Sequence, residues 1–424
     1  MKKTDTTPDR KLADEALLET IQRETFRYFW EGAHPVSFMA LDRTYRDRTP
    51  DDDKVTIGGT GFAVMAIIVA VERKWVTREA AIERLSHMLE ILERGPCYHG
   101  ALPHFINGRT GATIPFWRKD DGGDLVETSL LFQGLLCARQ YFSRDTSVER
   151  RLRGRITWLW SEIEWNWYTR DGRKLLYWHW SPNNGWALDH GIRGWSECLI
   201  TYVLAVSAPR YAISPDTYHE GFAASRDFLN GKSYYGIELP LGPSYGGPLF
   251  FAHYSFCGLD PRGLKDRYAD YWAQNLAHVR INYEHCRRNP KGHKGYGPSS
   301  WGLTASDDPD GYSAHAPEND NGTISPTAAL ASMPYTPKES MRALRHFLKA
   351  RDRLWGRFGF VDAFNETRDW YADTFLAIDQ GPIIVMIENH RSGLLWNLFM
   401  SIPEIQTGLR KLGFESPHCD GKIA

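Results

Sequence analysis

The stretch "GGDLVETSLLFQGLLCARQYF", residues 122–142, is apolar on nearly every side of a predicted helix. Such a helix must be covered all round, so we expect it inside the fold. Its first turn nevertheless carries two carboxylates, Asp124 and Glu127, in the Asp-x-x-Glu spacing of a capping box. Capping alone explains both acids, because each side chain can accept an unpaired backbone N–H. The rest of the sequence decides whether they also serve a site.

Segments of two kinds alternate along the chain. Apolar helices like the first are predicted over 60–71, 194–206 and 381–400, and amphipathic helices over 78–94, 147–165 and 338–351. Further helices are predicted over 15–29, 216–229, 266–286 and 325–332. Inner helices starting near 60, 124 and 192 repeat like helical hairpins, which predicts an all-α, (α/α)6 barrel, or toroid. We expect one domain over 1–424, with a core of about 15–414, long loops and small β-hairpins at the active-site end, including a strand in "KLLYWHW" (174–180).

Composition excludes several kinds of partner. With 51 basic and 52 acidic residues, the chain lacks the overall field that attracts nucleic acid or anionic membrane. No apolar run reaches the roughly 18 residues of a membrane span, and the six cysteines have no metal-binding spacing. The polar N-terminus predicts a cytoplasmic protein, with a periplasmic one as the alternative if a leader was removed. We expect a monomer without metal or cofactor.

More acids crowd the start of the 122–142 helix than a cap requires, because Asp120 and Asp121 lie just upstream. Like charges about 5–6 Å apart on a helix face can split their pKa values, as paired acid and base catalysts need. Glu197, in "GWSECLITYVLA", is predicted one turn inside an apolar helix. There it either borders a wet cavity with a raised pKa or hydrogen-bonds to a loop backbone.

Many of the 16 Trp and 20 Tyr lie in polar, Gly/Pro-rich loops. In a toroid, the loops that precede inner helices gather at one end, where aromatic rings offer flat surfaces for sugar stacking. Aspartates in the turn "WGLTASDDPDGY" are expected on turn grounds alone, and substrate contact is the alternative. The aromatic candidates are Trp178, Trp180, Trp186, Trp301, Tyr312, Trp370 and Tyr371.

Seven blocks between about residues 15 and 414 resemble the signature blocks of glycoamylase-like proteins grouped as glycoside hydrolase family 144. They are "DLVETSLLFQGLLCARQYF", "GWSECLITYVLAVSAP", "GGPLFFAHYSF", "WGLTASDDPDGY", "NGTISPTAALASMPYTP", "GFVDAFN" and "IDQGPIIVMIENHRSGLLW". The resemblance implies an (α/α)6 barrel that hydrolyses β-1,2-linked glucan with inversion at the anomeric carbon. Relatives commonly read GYNE where this chain has "GWSE" at 194–197, so the glutamate is kept and its neighbours differ.

Carried over residue by residue, the resemblance assigns Glu197 as the general acid and one of Asp120, Asp124 and Glu127 as the group that activates water. His253, Asp307 and Asp379, which lie in three of the quoted blocks, are further substrate-binding candidates. Endo action is expected, and exo action that releases sophorose or glucose is the alternative.

Two other functions stay open. A non-catalytic glucan-binding protein would keep the aromatic groove without needing the acids. An epimerase would want a histidine pair, for which His179, His190, His253 and His315 are candidates.

Overall fold

The computed structural model describes residues 11–48 and 53–419. Residues 1–10, on which the leader prediction rests, lie outside the described part of the chain. Helices dominate, and their bounds are α1 Asp14–Trp30, α2 Ile57–Glu72, α3 Arg78–Arg94, α4 Leu125–Tyr141, α5 Ser147–Ser161, α6 Leu199–Ser207, α7 Tyr271–Arg288, α8 Pro326–Ala331, α9 Pro337–Phe347, α10 Arg351–Leu354, α11 Ala377–Arg391, α12 Leu394–Met400 and α13 Pro403–Lys411.

Short strands form small antiparallel sheets between the helices. Their bounds are β1 Arg43–Tyr45, β2 Lys54–Thr56, β3 Phe105–Asn107, β4 Thr113–Ile114, β5 Gly123–Asp124, β6 His179–Trp180, β7 Leu229–Tyr234, β8 Ile237–Leu241, β9 Ala305–Asp308, β10 Gly311–Ala314, β11 Trp355–Gly356, β12 Gly359–Phe360, β13 Phe364–Asn365, β14 Trp370–Tyr371 and β15 Thr374–Leu376. Strands β2, β5 and β15 run directly into α2, α4 and α11, so these sheets lie at the end of the fold where those helices begin.

The helices form two concentric layers, as predicted for an (α/α)6 toroid. The inner layer runs through α11, α2, α4 and α6, continues in 3-10 turns at Leu249–Ala252 and Ser255–Cys257, and returns through α8 to α11. Helices α1, α3, α5, α7, α9 and α13 pack outside it. Most buried apolar side chains form one continuous cluster, because every inner helix must be covered on all sides, and Leu239, Ala277 and Ile281 form a small second cluster between β8 and α7.

Two glycines let α2 and α4 lie unusually close. A Cβ on Gly61 would collide with the carbonyl oxygen of Leu130, and one on Gly134 would collide with the carbonyl oxygen of Gly61. The apolar faces of the two helices therefore meet backbone to backbone. This contact fixes the relative position of their N-terminal ends, where Gly58 and Glu127 meet.

Several predicted bounds differ from the structure for tertiary reasons. The 194–206 helix begins only at Leu199, because Gly194 has φ of +82° and its N–H donates to the Phe222 carbonyl. Of the 216–229 helix only one π-helical turn, Thr217–Phe222, forms. The 381–400 helix is split between α11 and α12 at Gly393, which has φ of +71°. The strand in "KLLYWHW" is only β6, and it pairs with β5 rather than within a local hairpin. Among the described helices, none is both long and apolar enough to cross a membrane.

Candidate active site

The first side of the site is built at the start of α4. Asp124 caps this helix, since its Oδ1 accepts the N–H groups of Val126 (3.0 Å) and Glu127 (2.9 Å). The capping prediction is therefore confirmed for Asp124. The second bond of a capping box, from the Asp124 N–H to the Glu127 carboxylate, does not form, because the Asp124 N–H donates to the Leu102 carbonyl instead. This leaves the Glu127 side chain available for other partners.

Glu127 reaches across to the N-terminus of α2. Its Oε2 accepts the Gly58 N–H at 2.6 Å and the Thr56 hydroxyl at 3.3 Å. A Cβ on Gly58 would lie 2.7 Å from that oxygen, so only glycine allows this approach. Burial raises the pKa of Glu127; the Asp124 charge adds to the rise, whereas His104 opposes it.

His104, which the sequence analysis did not single out, sits between the two carboxylates. Its Nδ1–H donates to Asp124 Oδ2 at 3.0 Å, and its Nε2 lies 3.9 Å from Glu127 Oε1. Burial lowers the pKa of His104, but Glu127 and Asp124 outweigh it and raise the pKa to about 9. The imidazole is therefore a cation near neutral pH. Burial alone would raise the pKa of Asp124, and contact with His104 and the charge of His179 lower it instead.

Asp120 and His179 complete this side. The 5% exposed Asp120 places Oδ1 3.2 Å from His179 Nδ1, which lies 3.8 Å from Asp124 Oδ2. The β5–β6 pairing sets this geometry, because it puts Asp124 opposite His179. The oxygens of Asp120, Asp124 and the His179 nitrogen lie within 4.8 Å of one another, close enough to hold a cation. The ionic contacts of His179 and His104 already supply positive charge there.

Glu197 lies in the turn before α6, not one helical turn inside it as predicted. Its backbone carbonyl accepts the Ser255 hydroxyl, which anchors the turn to the inner layer. Burial raises the pKa of its carboxyl to about 7, and the charges of Asp124 and Glu127 add to the rise. Within residues 11–48 and 53–419, no ion pair involves this carboxyl. The structure thus brings Glu197 within electrostatic range of the α4 acids.

A second acidic group faces the first from the start of α11. Asp379 lies in the first turn of that helix, and its carboxyl hydrogen-bonds to that of Asp362. Asp362 Oδ2 accepts the Asp307 N–H at 2.7 Å, while Asp307 itself binds Arg43 (3.2 Å) and the Thr374 hydroxyl (2.6 Å). We call Asp307, Asp362 and Asp379 the α11 triad.

A shared proton stabilises the acids of the α11 triad, whereas imidazole cations stabilise the acids at the start of α4. Burial raises the pKa of Asp362 to about 7, and the Asp307 charge adds to the rise. Burial and contact with Asp362 raise the pKa of Asp379 well above its usual range. Among the described residues, no backbone N–H and no other side chain donates to the buried Asp379 Oδ2 or Asp362 Oδ1, which leaves the proton shared by the two carboxyls as their stabilising contact.

Tyr254 connects the two sides. Its hydroxyl is buried and lacks a hydrogen-bond partner within the described chain. Burial raises its pKa well above the usual value, and the charges of Asp379, Glu197 and Glu127 all add to the rise. The two acidic groups therefore converge on one cleft around this hydroxyl. Neither Tyr254 nor Asp362 stands out in the sequence, beyond lying in the blocks "GGPLFFAHYSF" and "GFVDAFN".

Six of the seven predicted aromatic candidates lie at four places in the fold. Trp178 and Trp180 flank His179 on β6 and are half-buried. Tyr312 is 50% exposed on β10, yet burial of its hydroxyl end raises its pKa and the nearby Asp379 charge adds to that. Trp186 packs on Tyr168 and Tyr177, while Trp370 and Tyr371 lie on β14.

Two predicted substrate contacts are buried side chains with partners inside the fold. Trp301 is fully buried, with its indole nitrogen directed at the Glu339 carbonyl (3.4 Å). His253 is 2% exposed and its Nε2 lies 3.0 Å from the Ser332 hydroxyl, so it belongs to the core. Burial lowers the pKa of His253 to about 3. Both residues lie in Gly/Pro-rich segments that resemble surface loops in sequence but are covered in the fold.

Comparisons with known proteins agree with this geometry. Residues 189–403, about half of the chain, match the Glycoamylase family model, described as "Putative glucoamylase". A crystal structure of a "putative glucoamylase" from Bacteroides uniformis has 55% identity and a TM-score of 0.95 over 97% of this chain and all of that one. An endo-β-1,2-glucanase from Chitinophaga pinensis, solved with sophorotriose and glucose, has 52% identity and a TM-score of 0.93 over 96% of this chain and all of that one.

A curated relative from Parabacteroides distasonis is named exo β-1,2-glucooligosaccharide sophorohydrolase (non-reducing end). It is 45% identical over 95% of this chain, and the match spans 58% of the relative's own length. Opposed acidic groups in the mouth of a helical toroid are the kind of site that glycoside hydrolases use. The extent of the sequence and structural matches shows that the chain belongs to the glycoamylase-like family, glycoside hydrolase family 144.

Proposed function

We propose that the protein is an inverting hydrolase that cleaves β-1,2-glucan within the chain. The observation that carries this proposal is Glu197, whose raised pKa of about 7 keeps a proton available between two acidic groups. A general acid needs a pKa near the working pH, so that it is protonated and still transfers its proton readily. The names of the relatives, an endo-β-1,2-glucanase and an exo-acting sophorohydrolase, supply the linkage.

The general acid is Glu197, which donates its proton to the leaving glycosidic oxygen. An inverting enzyme also needs a carboxylate about 6.5–9.5 Å away that activates water on the opposite face of the sugar. Asp120, Asp124 and Glu127 remain the candidates from sequence. Both oxygens of Asp124 are engaged by N–H groups of the α4 start and His104, and Glu127 Oε2 is engaged by Gly58, which leaves Asp120 as the freest of the three.

The α11 triad offers a further candidate base. Asp362 and Asp379 share a proton, as the two carboxyls of an aspartic protease do, so the pair carries one negative charge when it holds one proton. The ionised carboxylate of such a pair can accept the proton of an attacking water. We therefore propose the Asp362–Asp379 pair as the group that activates water, with Asp120 as the alternative.

Endo action is supported by the match to the endo-β-1,2-glucanase from Chitinophaga pinensis, at 52% identity over 96% of this chain. Exo release of a short product such as sophorose is the second candidate. A monomer is proposed as the active form, and size-exclusion chromatography tests it.

The decisive experiment follows the first product from linear β-1,2-glucan by NMR and by chain-length analysis. Inversion requires an α-configured initial anomer, and endo action requires a ladder of oligosaccharides rather than one short product. Glu197→Gln keeps the side-chain volume and should lower kcat at least about 100-fold. A β-configured first product, or a fully active Glu197→Gln variant, contradicts the mechanism, whereas binding without turnover by the wild-type protein favours a glucan-binding role.

A further inference from the structure

Two large aromatic side chains stand exposed beside the acidic cleft, and the sequence analysis did not select them. Phe116 is 56% exposed and Trp117 is 69% exposed. Both lie in the loop between β4 and β5, which leads into α4. Exposing this much apolar surface is unfavourable for a monomer, so a contiguous patch of it calls for a ligand.

Hydrogen bonds tie these aromatics to an acid of the site. The Phe116 N–H donates to the Asp120 carbonyl at 2.9 Å, and the Asp120 N–H donates to the Trp117 carbonyl at 2.9 Å. The two bonds close a tight turn whose last residue is Asp120, the partner of His179. The positions of the aromatic rings are therefore coupled to that of Asp120.

One ring also touches the charged centre directly. Phe116 lies with its centroid 4.4 Å from the His104 ring, tilted by 33°, and 5.7 Å from the Phe105 ring. His104 in turn binds Asp124 and approaches Glu127. Phe116 thus covers the outer side of the imidazole on which both acids depend, and more than half of its surface still faces solvent.

We propose that Phe116 and Trp117 form a stacking platform that binds a glucosyl unit of the substrate chain at the edge of the cleft. The proposal rests on the proposed function, because it needs a glucan as ligand. A β-linked glucose ring presents apolar C–H faces that carry slight positive charge, and these complement the negative face of an aromatic ring. Stacking at the edge of the cleft binds ground state and transition state alike, so it acts on KM more than on kcat.

The test is the double variant Phe116→Ala/Trp117→Ala, with initial rates measured over a range of linear β-1,2-glucan concentrations. We expect KM to rise about tenfold in the double variant, and the single variant Trp117→Ala to raise KM with kcat within about twofold of wild type, because Phe116 rather than Trp117 covers the His104 ring. Trp158→Ala is the matched control, because Trp158 is also exposed (52%) but lies on the outer helix α5. It should leave both constants unchanged.

Two single variants separate stacking from simple packing. Phe116→Tyr keeps the aromatic face and should retain the wild-type KM, whereas Phe116→Leu keeps apolar bulk without it and should raise KM. Binding of the polymer to the Glu197→Gln protein, measured by affinity electrophoresis, should weaken about tenfold when the double variant is added. This readout does not depend on turnover.

A wild-type KM in the double variant, or in Phe116→Leu, overturns the platform. So does a change in oligomeric state on size-exclusion chromatography, which would show that a second copy covers the patch. These outcomes are distinct from failure of the proposed function, which shows as a folded wild-type protein without activity on β-1,2-glucan.

Discussion

Asp124 and Asp379 lie at the starts of two inner helices and are kept in opposite states. Asp124 is the N-cap of α4 and Asp379 lies in the first turn of α11, and they are 0% and 2% exposed. Asp124 contacts imidazoles, and its pKa falls below the usual range. Asp379 contacts another carboxyl, and its pKa rises well above it. A buried acid can thus be stabilised either by a cation or by a proton, and this cleft uses both solutions on facing sides.

The difference gives the cleft two kinds of chemistry. The α4 side stays ionised over a broad pH range, because His104 holds its proton up to a pKa of about 9. The α11 triad exchanges a proton near neutral pH, because the pKa of Asp362 is about 7. A fixed charge suits stabilisation of positive charge on the sugar, whereas an exchangeable proton suits acid–base work.

The largest effect is expected where the fixed ion pair is broken. Asp124→Asn leaves His104 and His179 without their buried counter-charge, so the free energy of unfolding should fall by about 3 kcal/mol. Activity should fall about 100-fold, since the electrostatic support of Glu197 is lost with it. Denaturant unfolding at pH 7 and initial rates measure both. Asp145→Asn is the control, because it removes a carboxylate that is 89% exposed. Equal stability of the two variants would show that Asp124 does not stabilise the fold by pairing with His104 and His179.

Asp379→Asn should separate activity from stability. The amide resembles a protonated carboxyl in shape and can donate to Asp362, so the unfolding free energy should stay within about 1 kcal/mol of wild type. Activity should fall about 100-fold if this residue activates water. The same two measurements apply. A loss of stability as large as that of Asp124→Asn would mean that Asp379 is ionised in the folded protein.

The two sides should also lose stability in different pH windows. The pKa of His104 is raised from 6.5 to about 9, so its stabilisation is complete below pH 6.5 and is lost as pH rises through 9. The pKa of Asp362 is raised from 3.8 to about 7, so protonation favours the folded state and stability falls as pH rises from about 4 to 7.

Melting temperatures across pH 4–10 measure both windows. His104→Gln should flatten the upper window and Asp362→Asn the lower one, each by on the order of 2 kcal/mol. Interchanged effects of the two variants, or identical curves for both, would contradict the assignment of proton and cation to the two sides.

Local features of the site were predictable from sequence, and its long-range contacts were not. The cap at Asp124 and the inner placement of α4 follow from residues within a few positions of each other. Glu127 instead meets Gly58 from 69 residues away, and Arg43 meets Asp307 from 264 away. No periodicity encodes such pairings, because they arise only when separate helices pack.

The differences between the expected and the observed surroundings of these residues have the same origin. Glu197 lies in an apolar run that reads as helix, but Gly194 in the left-handed region and its bond to Phe222 hold the start of this run outside α6. Trp301 and His253 lie in segments rich in Gly and Pro, which usually face solvent, and the toroid buries both. Resemblance to a family points to positions of the acids in the chain, whereas their protonation states depend on the packed structure.

The smallest expected effect tests whether the α4 side needs exact placement as well as charge. Gly58→Ala puts a methyl group 2.7 Å from Glu127 Oε2, and the flexible end of that side chain can move away. Alanine favours the helix by about 0.5–1 kcal/mol, which offsets a lost hydrogen bond of about 1 kcal/mol. Stability should therefore stay unchanged while kcat/KM falls about tenfold. The control is Gly154→Ala, because a Cβ at Gly154 meets nothing within 4 Å, and this variant should gain stability and keep full activity. If Gly58→Ala also keeps full activity, the charge of Glu127 matters on this side of the cleft and its exact position does not.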